Sequence, residues 1–212
     1  MRIRCTRLGL FGGTFNPIHM GHLRLAEEVR EEYCLDYVVF IPANRPPHKK
    51  LKEEISPSHR LKMVESAINR NNHFISDDME VKRGGISYTI DTVNYVYENY
   101  EFEGKPYFII GSDLLGEIDT WKDIGILMNK LYFIVMLRAG APQYDYKAEV
   151  SSLFKKQGSE KMGRHPFLFF EKRKLDITSS EIREKIKQKK SIRYLVTDGV
   201  LKYIKEKELY RI

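Results

Sequence analysis

Six short apolar runs, each followed by a stretch with helical spacing or a turn, limit most strongly how this 212-residue chain can fold. The runs are Arg7–Phe11, Tyr37–Ile41, Phe74–Ser76, Tyr107–Ile110, Leu131–Leu137 and Phe167–Phe170. Tyr37–Ile41 is unbroken and rich in β-branched residues, as a strand covered on both faces should be. Between the runs, apolar residues recur three and four apart: Leu23, Ala26, Val29 and Tyr33, then Leu61, Val64, Ala67 and Ile68, then Ile90, Val93, Val96 and Tyr97. That spacing places them on one face of a helix, and Ser56-Pro57 reads as an N-cap followed by a first helical residue. Further helices are expected near 123–129, 148–156, 180–189 and 198–207. Strands alternating with helices predict βαβ units: an α/β fold with a mostly parallel sheet of about six strands, helices on both faces, and a C-terminal helical segment from about 177 to 212. No linker or repeat divides the sequence, so one domain over 1–212 is expected.

Composition excludes more than it selects. Thirty-six basic against 29 acidic residues give a net charge of +7. Such a balance suits polyanions and phosphorylated small molecules alike. The longest clean apolar run, Leu131–Leu137, has seven residues, far below the roughly 20 of a membrane span. Arg2, Arg4 and Arg7 lead into a glycine turn and not into a signal-peptide core. Cys5 and Cys34 show neither a disulfide framework nor metal-ligand spacing, and both are expected to pack as small apolar groups in a reducing, cytoplasmic setting.

In open sheets of this class, ligands sit beyond the carboxyl ends of the strands. After the first strand the chain reads Gly12-Gly13-Thr14-Phe15-Asn16-Pro17-Ile18-His19-Met20-Gly21-His22. The glycines allow a ligand to approach main-chain N–H groups closely. His19 and His22, three apart, share one side of a helix start, where the dipole and open N–H groups favour an anion. Neither the Walker loop nor the Gly-x-Gly-x-x-Gly fingerprint is present. Near the other end, Ile177-Thr178-Ser179-Ser180-Glu181-Ile182-Arg183 opens a second helix. Thr178 and Glu181 fit a capping box, and Arg183 one turn in can grip a phosphate. Lys185, Lys187, Lys189 and Lys190 continue that helix as a solvated, basic face.

The first string resembles the signature of nucleotidyltransferases that share a His-x-Gly-His motif with class I aminoacyl-tRNA synthetases. Phe15-Asn16-Pro17 followed by His19 resembles one branch, the bacterial nicotinate-nucleotide adenylyltransferases. Ile177–Arg183 resembles the family's Ile-Ser-Ser-Thr-x-Ile-Arg motif, with Thr178 and Ser180 exchanging the usual Ser and Thr but keeping the hydroxyls. Three middle segments resemble the same branch: Ser87-Tyr88-Thr89-Ile90-Asp91-Thr92, Gly111-Ser112-Asp113 followed by Trp121, and the loop residues Pro42, Asn44, Pro46, Pro47, His48 and Lys49.

The resemblance implies a doubly wound, Rossmann-like domain that transfers the adenylyl group of ATP to nicotinate mononucleotide (NaMN), releasing pyrophosphate and forming nicotinate adenine dinucleotide (NaAD). It implies that Gly12, Gly13, Thr14 and Phe15 cradle ATP, with His19 and His22 on the reacting phosphates. Gly111 and Asp113 would serve the adenylyl group, and Ile177, Ser179, Ser180 and Arg183 the far phosphates. His19, His22 and Arg183 would then be catalytic. NaMN would meet Asn16, His48, Lys49, Thr89, Trp121 and Lys122, with main-chain N–H groups near Thr89 and Trp121 holding the ring carboxylate. Trp121, the only tryptophan, stands among polar neighbours, a poor context for a core residue, and its ring can stack on nicotinate. Mg²⁺ would travel with ATP, since no carboxylate cage for it is visible. Arg138 is a candidate on the adenine side. Asp91 reads as structural, and His59, His73 and His165 as bystanders. Partners from nucleic acid or membrane are not expected, whereas a homo-oligomer is compatible with the sequence. Residue patterns leave two rivals: a related transferase with NMN, phosphopantetheine or glycerol 3-phosphate as acceptor, and a non-catalytic basic RNA-binding protein on the same fold.

Overall fold

A computed structural model describes residues 4–47, 55–137, 150, 166–171 and 176–211. His48, Lys49, Arg138, His165 and the segment 143–163, apart from the buried Val150, lie outside the described residues, and so does most of the helix expected at 148–156.

The strands are β1 (Arg4–Cys5), β2 (Leu8–Gly13), β3 (Tyr37–Pro42), β4 (Phe74–Ser76), β5 (Glu101–Phe102), β6 (Tyr107–Gly111), β7 (Tyr132–Met136) and β8 (Phe167–Phe170). Six of them form one sheet in the order β4-β3-β2-β6-β7-β8, and every pair is parallel. The chain starts in the middle, moves outward through β3 and β4, then returns to the other side of β2. This is the doubly wound order, with its reversal between β2 and β6.

The helices are α1 (Met20–Glu32), α2 (Pro57–Ile68), α3 (Met79–Arg83), α4 (Thr89–Asn99), α5 (Ile124–Lys130), α6 (Ser179–Lys187) and α7 (Asp198–Glu206), with a 3₁₀ helix at Ser112–Thr120. Alternate strand residues feed opposite cores, as a pleated strand requires. Phe11, Val38, Phe40, Ile109 and Ile134 face Ala26 and Val29 of α1, Met63 and Val64 of α2, Ile182 of α6 and Val200 and Ile204 of α7. Leu8, Leu10, Val39, Ile110 and Val135 face Ile90, Val93 and Val96 of α4 together with Leu127 and Met128 of α5. The C-terminal helices therefore complete one face of the sheet.

Local spacing predicted these elements to within a few residues, and the differences have physical causes. The two-residue partners β1 and β5, the five-residue α3 and the 3₁₀ helix are too short or irregular to show a period. On α2 the buried residues are Arg60, Met63, Val64 and Ile68, so Leu61 is not in the core stripe and an arginine is. Cys34 is exposed, contrary to the packing expected of it: it lies one position beyond the C-cap of α1, at φ 50, in the turn leading to the buried Leu35. Cys5 is half-buried, and burial first and Asp36 second push its thiol up to about 11. No helix among the described residues is long and apolar enough to cross a membrane.

Candidate active site

The sheet opens where its order reverses. β2 pairs with β3 as far as Gly13↔Pro42, yet its pairing with β6 ends at Leu10↔Phe108. Gly12-Gly13 and Gly111 thus border a crevice at the carboxyl edge of the sheet. Each of these glycines makes room for a neighbour. A Cβ on Gly12 would stand 3.2 Å from the Phe108 ring, and one on Gly13 would stand 2.9 Å from the Phe15 ring. The Asp113 carboxylate lies where a Cβ of Gly111 would point.

Phe15 adopts φ 48 with its ring buried against Phe11 and Phe40, so the turn bends while its bulk stays in the core. A bulky residue in the left-handed region costs roughly 1–3 kcal/mol, strain that characteristically gathers at functional sites. The Phe15 ring also meets the His22 imidazole edge-on at 5.2 Å. Asn16 is buried, and its Oδ1 accepts from the Tyr210 hydroxyl at 2.8 Å.

His19 is the N-cap of α1, and its ring stacks on His22 with centroids 3.6 Å apart and planes 25° apart. The His19 N–H donates to His22 Nδ1 at 3.3 Å. A lone pair on Nδ1 leaves the proton of the neutral ring on Nε2, which makes His22 an N–H donor at that atom. Burial lowers His19 to about 4, and burial together with the neighbouring His19 holds His22 well below its usual value. Both rings are therefore neutral donors at pH 7 before any anion arrives. Gly21 permits this stack: a Cβ there would stand 3.0 Å from His19 Nδ1 and 3.7 Å from Ile177 Cβ. Met20, which opens α1, donates its N–H to the Leu195 carbonyl at 2.8 Å.

The late motif closes onto the early one across more than 160 residues. Ser179 Oγ donates to the Pro17 carbonyl at 2.8 Å. Arg183 donates from Nη1 to the Asn16 carbonyl at 2.8 Å and from Nη2 to Ser180 Oγ at 3.2 Å. Thr178 caps α6 by accepting from the Glu181 N–H at 3.1 Å. His19, His22, Ile177, Ser179, Ser180 and Arg183 thus belong to one locality, with two helix N-termini beside it.

A second group adjoins β6. Trp121 is not the isolated ring that its polar neighbours suggested: it is half-buried and meets Phe108 and Phe133 edge-on at 6.1 and 6.4 Å. The 3₁₀ helix turns it back under the sheet, and its N–H donates to the Ile118 carbonyl at 3.1 Å. Lys122 Nζ lies 5.0 Å from the Tyr88 ring centroid and 3.8 Å from Asp91 Oδ1, joining the Trp121 segment to the start of α4, where Thr89 is the first residue. His59 Nδ1 lies 2.9 Å from the Tyr203 hydroxyl, and His73 Nδ1 lies 3.0 Å from the Asp36 carbonyl, both away from the crevice.

Sequence reasoning passed over two buried charges at this edge, Arg60 and Glu80. An arginine inside the apolar stripe of α2 was the available signal. Arg60 donates to the Thr14 carbonyl at 2.7 Å and to the Asn44 carbonyl at 3.0 Å. Among the described residues no cluster of three or more His, Cys, Asp or Glu side chains could hold a metal ion.

Residues 10–185 match the cytidylyltransferase-like family model. A Geobacter sp. (strain M21) protein described as a probable nicotinate-nucleotide adenylyltransferase is 40% identical, covering 96% of this chain and 98% of its own length. A protein of the same description from Desulfitobacterium hafniense (strain Y51) is 38% identical, covering 97% and 96%. The solved Plasmodium falciparum nicotinic acid mononucleotide adenylyltransferase complexed with NaAD superposes with a TM-score of 0.69 at 22% identity, covering 97% of both chains, and it shares the fold. The chain belongs to the cytidylyltransferase-like family and, within it, to the nicotinate-nucleotide adenylyltransferases.

Proposed function

We propose that this chain joins ATP and NaMN into NaAD and pyrophosphate at the β2–β6 crevice, with His19, His22 and Arg183 as its catalytic residues. The observation that carries the reading is the Arg183–Asn16 and Ser179–Pro17 pair of hydrogen bonds, which holds both phosphate-handling motifs against one another. The NaMN phosphate is ionised near neutral pH, so its oxygen attacks the ATP α-phosphorus with no base and no protein nucleophile. One P–O bond forms, the bond to the β-phosphate bridge oxygen breaks, and pyrophosphate leaves with that electron pair. What remains for the protein is alignment and charge stabilisation.

Gly12, Gly13, Thr14 and Phe15 serve as the main-chain cradle for ATP, and Gly111 and Asp113 serve its adenylyl side. His22 Nε2–H donates to the phosphoryl oxygens as charge shifts toward the leaving group. The arriving phosphates favour the protonated form of His19, whereas His22 stays a neutral Nε2–H donor because its Nδ1 already accepts from the His19 N–H. Ile177, Ser179, Ser180 and Arg183 hold the departing pyrophosphate. Mg²⁺ accompanies ATP as part of the substrate, bound by phosphate oxygens and water.

On the acceptor side Trp121 stacks on the nicotinate ring and N–H groups at the start of α4, beginning with Thr89, receive its carboxylate. Asn16, Lys122, His48 and Lys49 complete that side. A carboxylate accepts from such donors, whereas the amide of NMN turns an N–H₂ toward them, so NaMN is preferred. The test is pyrophosphate release with ATP and either NaMN or NMN at equal concentration, then with phosphopantetheine and glycerol 3-phosphate using ATP or CTP. NaMN with ATP should give the highest kcat/KM. A higher value with any other pair would replace this reading, as would salt-dependent RNA binding without pyrophosphate release.

A further inference from the structure

Glu80 and Arg60 are nearly inaccessible, at 7% and 1% of their surfaces, yet neither reaches a reacting group. What they touch is main chain and hydroxyls from three separate segments at the carboxyl edge of the sheet. Arg60, from α2, holds the Thr14 carbonyl after β2 and the Asn44 carbonyl after β3. Glu80, from α3, accepts from Thr92 Oγ1 at 2.5 Å and from the Ser87 hydroxyl. Ser87 Oγ in turn accepts from the Asn44 N–H at 2.9 Å, and Arg83 reaches Thr92 Oγ1 at 3.4 Å. Asn44 Nδ2 donates to the Gly85 carbonyl at 2.8 Å, and the Ser87 N–H donates to the Arg45 carbonyl at 2.8 Å. Burial alone drives the Glu80 pKa up, and the two hydroxyls, Arg83 and Arg60 pull against that rise.

We infer that Glu80 and Arg60 are positioning residues that lock the Thr14 turn, the Asn44–Arg45 loop and the start of α4 into one rigid acceptor-side wall. This inference rests on the acceptor site proposed above. It gives Ser87 and Thr92 a role distinct from touching substrate: each hydroxyl anchors its segment to Glu80, leaving Thr89 between them at a defined place. A buried carboxylate receiving two hydroxyl donors has well-defined geometry, and a lost donor leaves it under-satisfied, so the wall loosens as a unit.

Thr92→Val removes the hydroxyl at nearly constant volume, and Thr92→Ser keeps it. Steady-state pyrophosphate release should show KM for NaMN raised about tenfold in Thr92→Val, the effect of one lost bond to a buried charged acceptor, with KM for ATP within about twofold of the parent. Thr92→Ser should return the NaMN value to near the parent's. If Thr92→Val does not fold by circular dichroism, Glu80→Gln carries the same comparison. A folded variant with unchanged KM for NaMN, or with both KM values rising together, overturns the inference. Absence of NaMN-dependent turnover in the parent protein would instead overturn the acceptor assignment itself.

Discussion

Gly21→Ala places one methyl group against the most sensitive contact of the site. The added Cβ would stand 3.0 Å from His19 Nδ1 and 3.1 Å from Cε1, whereas carbon contacts settle at about 3.5–4.0 Å. The imidazole must therefore move by roughly 0.5 Å. It has no slack on its other side, where His22 stacks at 3.6 Å. No hydrogen bond at Nδ1 restores it, because that atom is buried without a partner among the described residues. The stack passes the displacement on to the His22 ring, and with it to Nε2. Since misplacing a reacting group by 1 Å costs on the order of 10²-fold, half that shift should lower kcat by about tenfold. Stability should fall as well, because forcing a methyl group against a ring without slack costs about 1–3 kcal/mol, more than the gain of up to about 1 kcal/mol that alanine has over glycine in a helix. Steady-state pyrophosphate release and a thermal melt on the same preparation test this. A Gly21→Ala protein that melts at the parent temperature and turns over at the parent rate would refute the claim that the His19–His22 stack is held in catalytic geometry.

His22→Ala should lower kcat by about 10²-fold or more with a native circular-dichroism spectrum, since a single preorganised donor to developing charge is worth that much; near-normal turnover would remove His22 from the mechanism. Trp121→Ala should raise KM for NaMN more than KM for ATP, and equal effects would argue against ring stacking, because loss of the Phe108 and Phe133 contacts alone would not choose between substrates. Stability should fall on acidification because the folded protein holds His19 at about 4, below the unfolded value near 6.5. Between those pH values the unfolded chain binds the extra proton, so from pH 6.5 to 5 His19 should cost the native state roughly 2 kcal/mol. Urea unfolding of His19→Asn beside the parent over that range isolates the contribution, and identical pH slopes would show that His19 is not buried neutral.

Element order, the parallel sheet and the two strings proposed to bind phosphate were legible along the chain because they depend on local quantities. A period of 3.6, a β-branched run stopped by Pro42, two glycines before a helix and a hydroxyl at an N-cap each need only neighbouring residues. The second half of the site was not legible in that way. His22 is a donor at Nε2 because the His19 N–H meets its other nitrogen, and both rings are neutral because burial disfavours their charged forms. Trp121 looks solvated beside Asp119, Thr120 and Lys122, yet it is half-buried and meets Phe108 of β6 and Phe133 of β7. Arg60 meets the Thr14 carbonyl 46 positions away, and Tyr210 meets Asn16 across 194. Desolvation and long-range hydrogen bonding depend on which surfaces come together, and no spacing along the chain encodes a partner so distant. Local chemistry marked the candidate site residues; packing chose their protonation, their aim and the buried charges that join the segments around them.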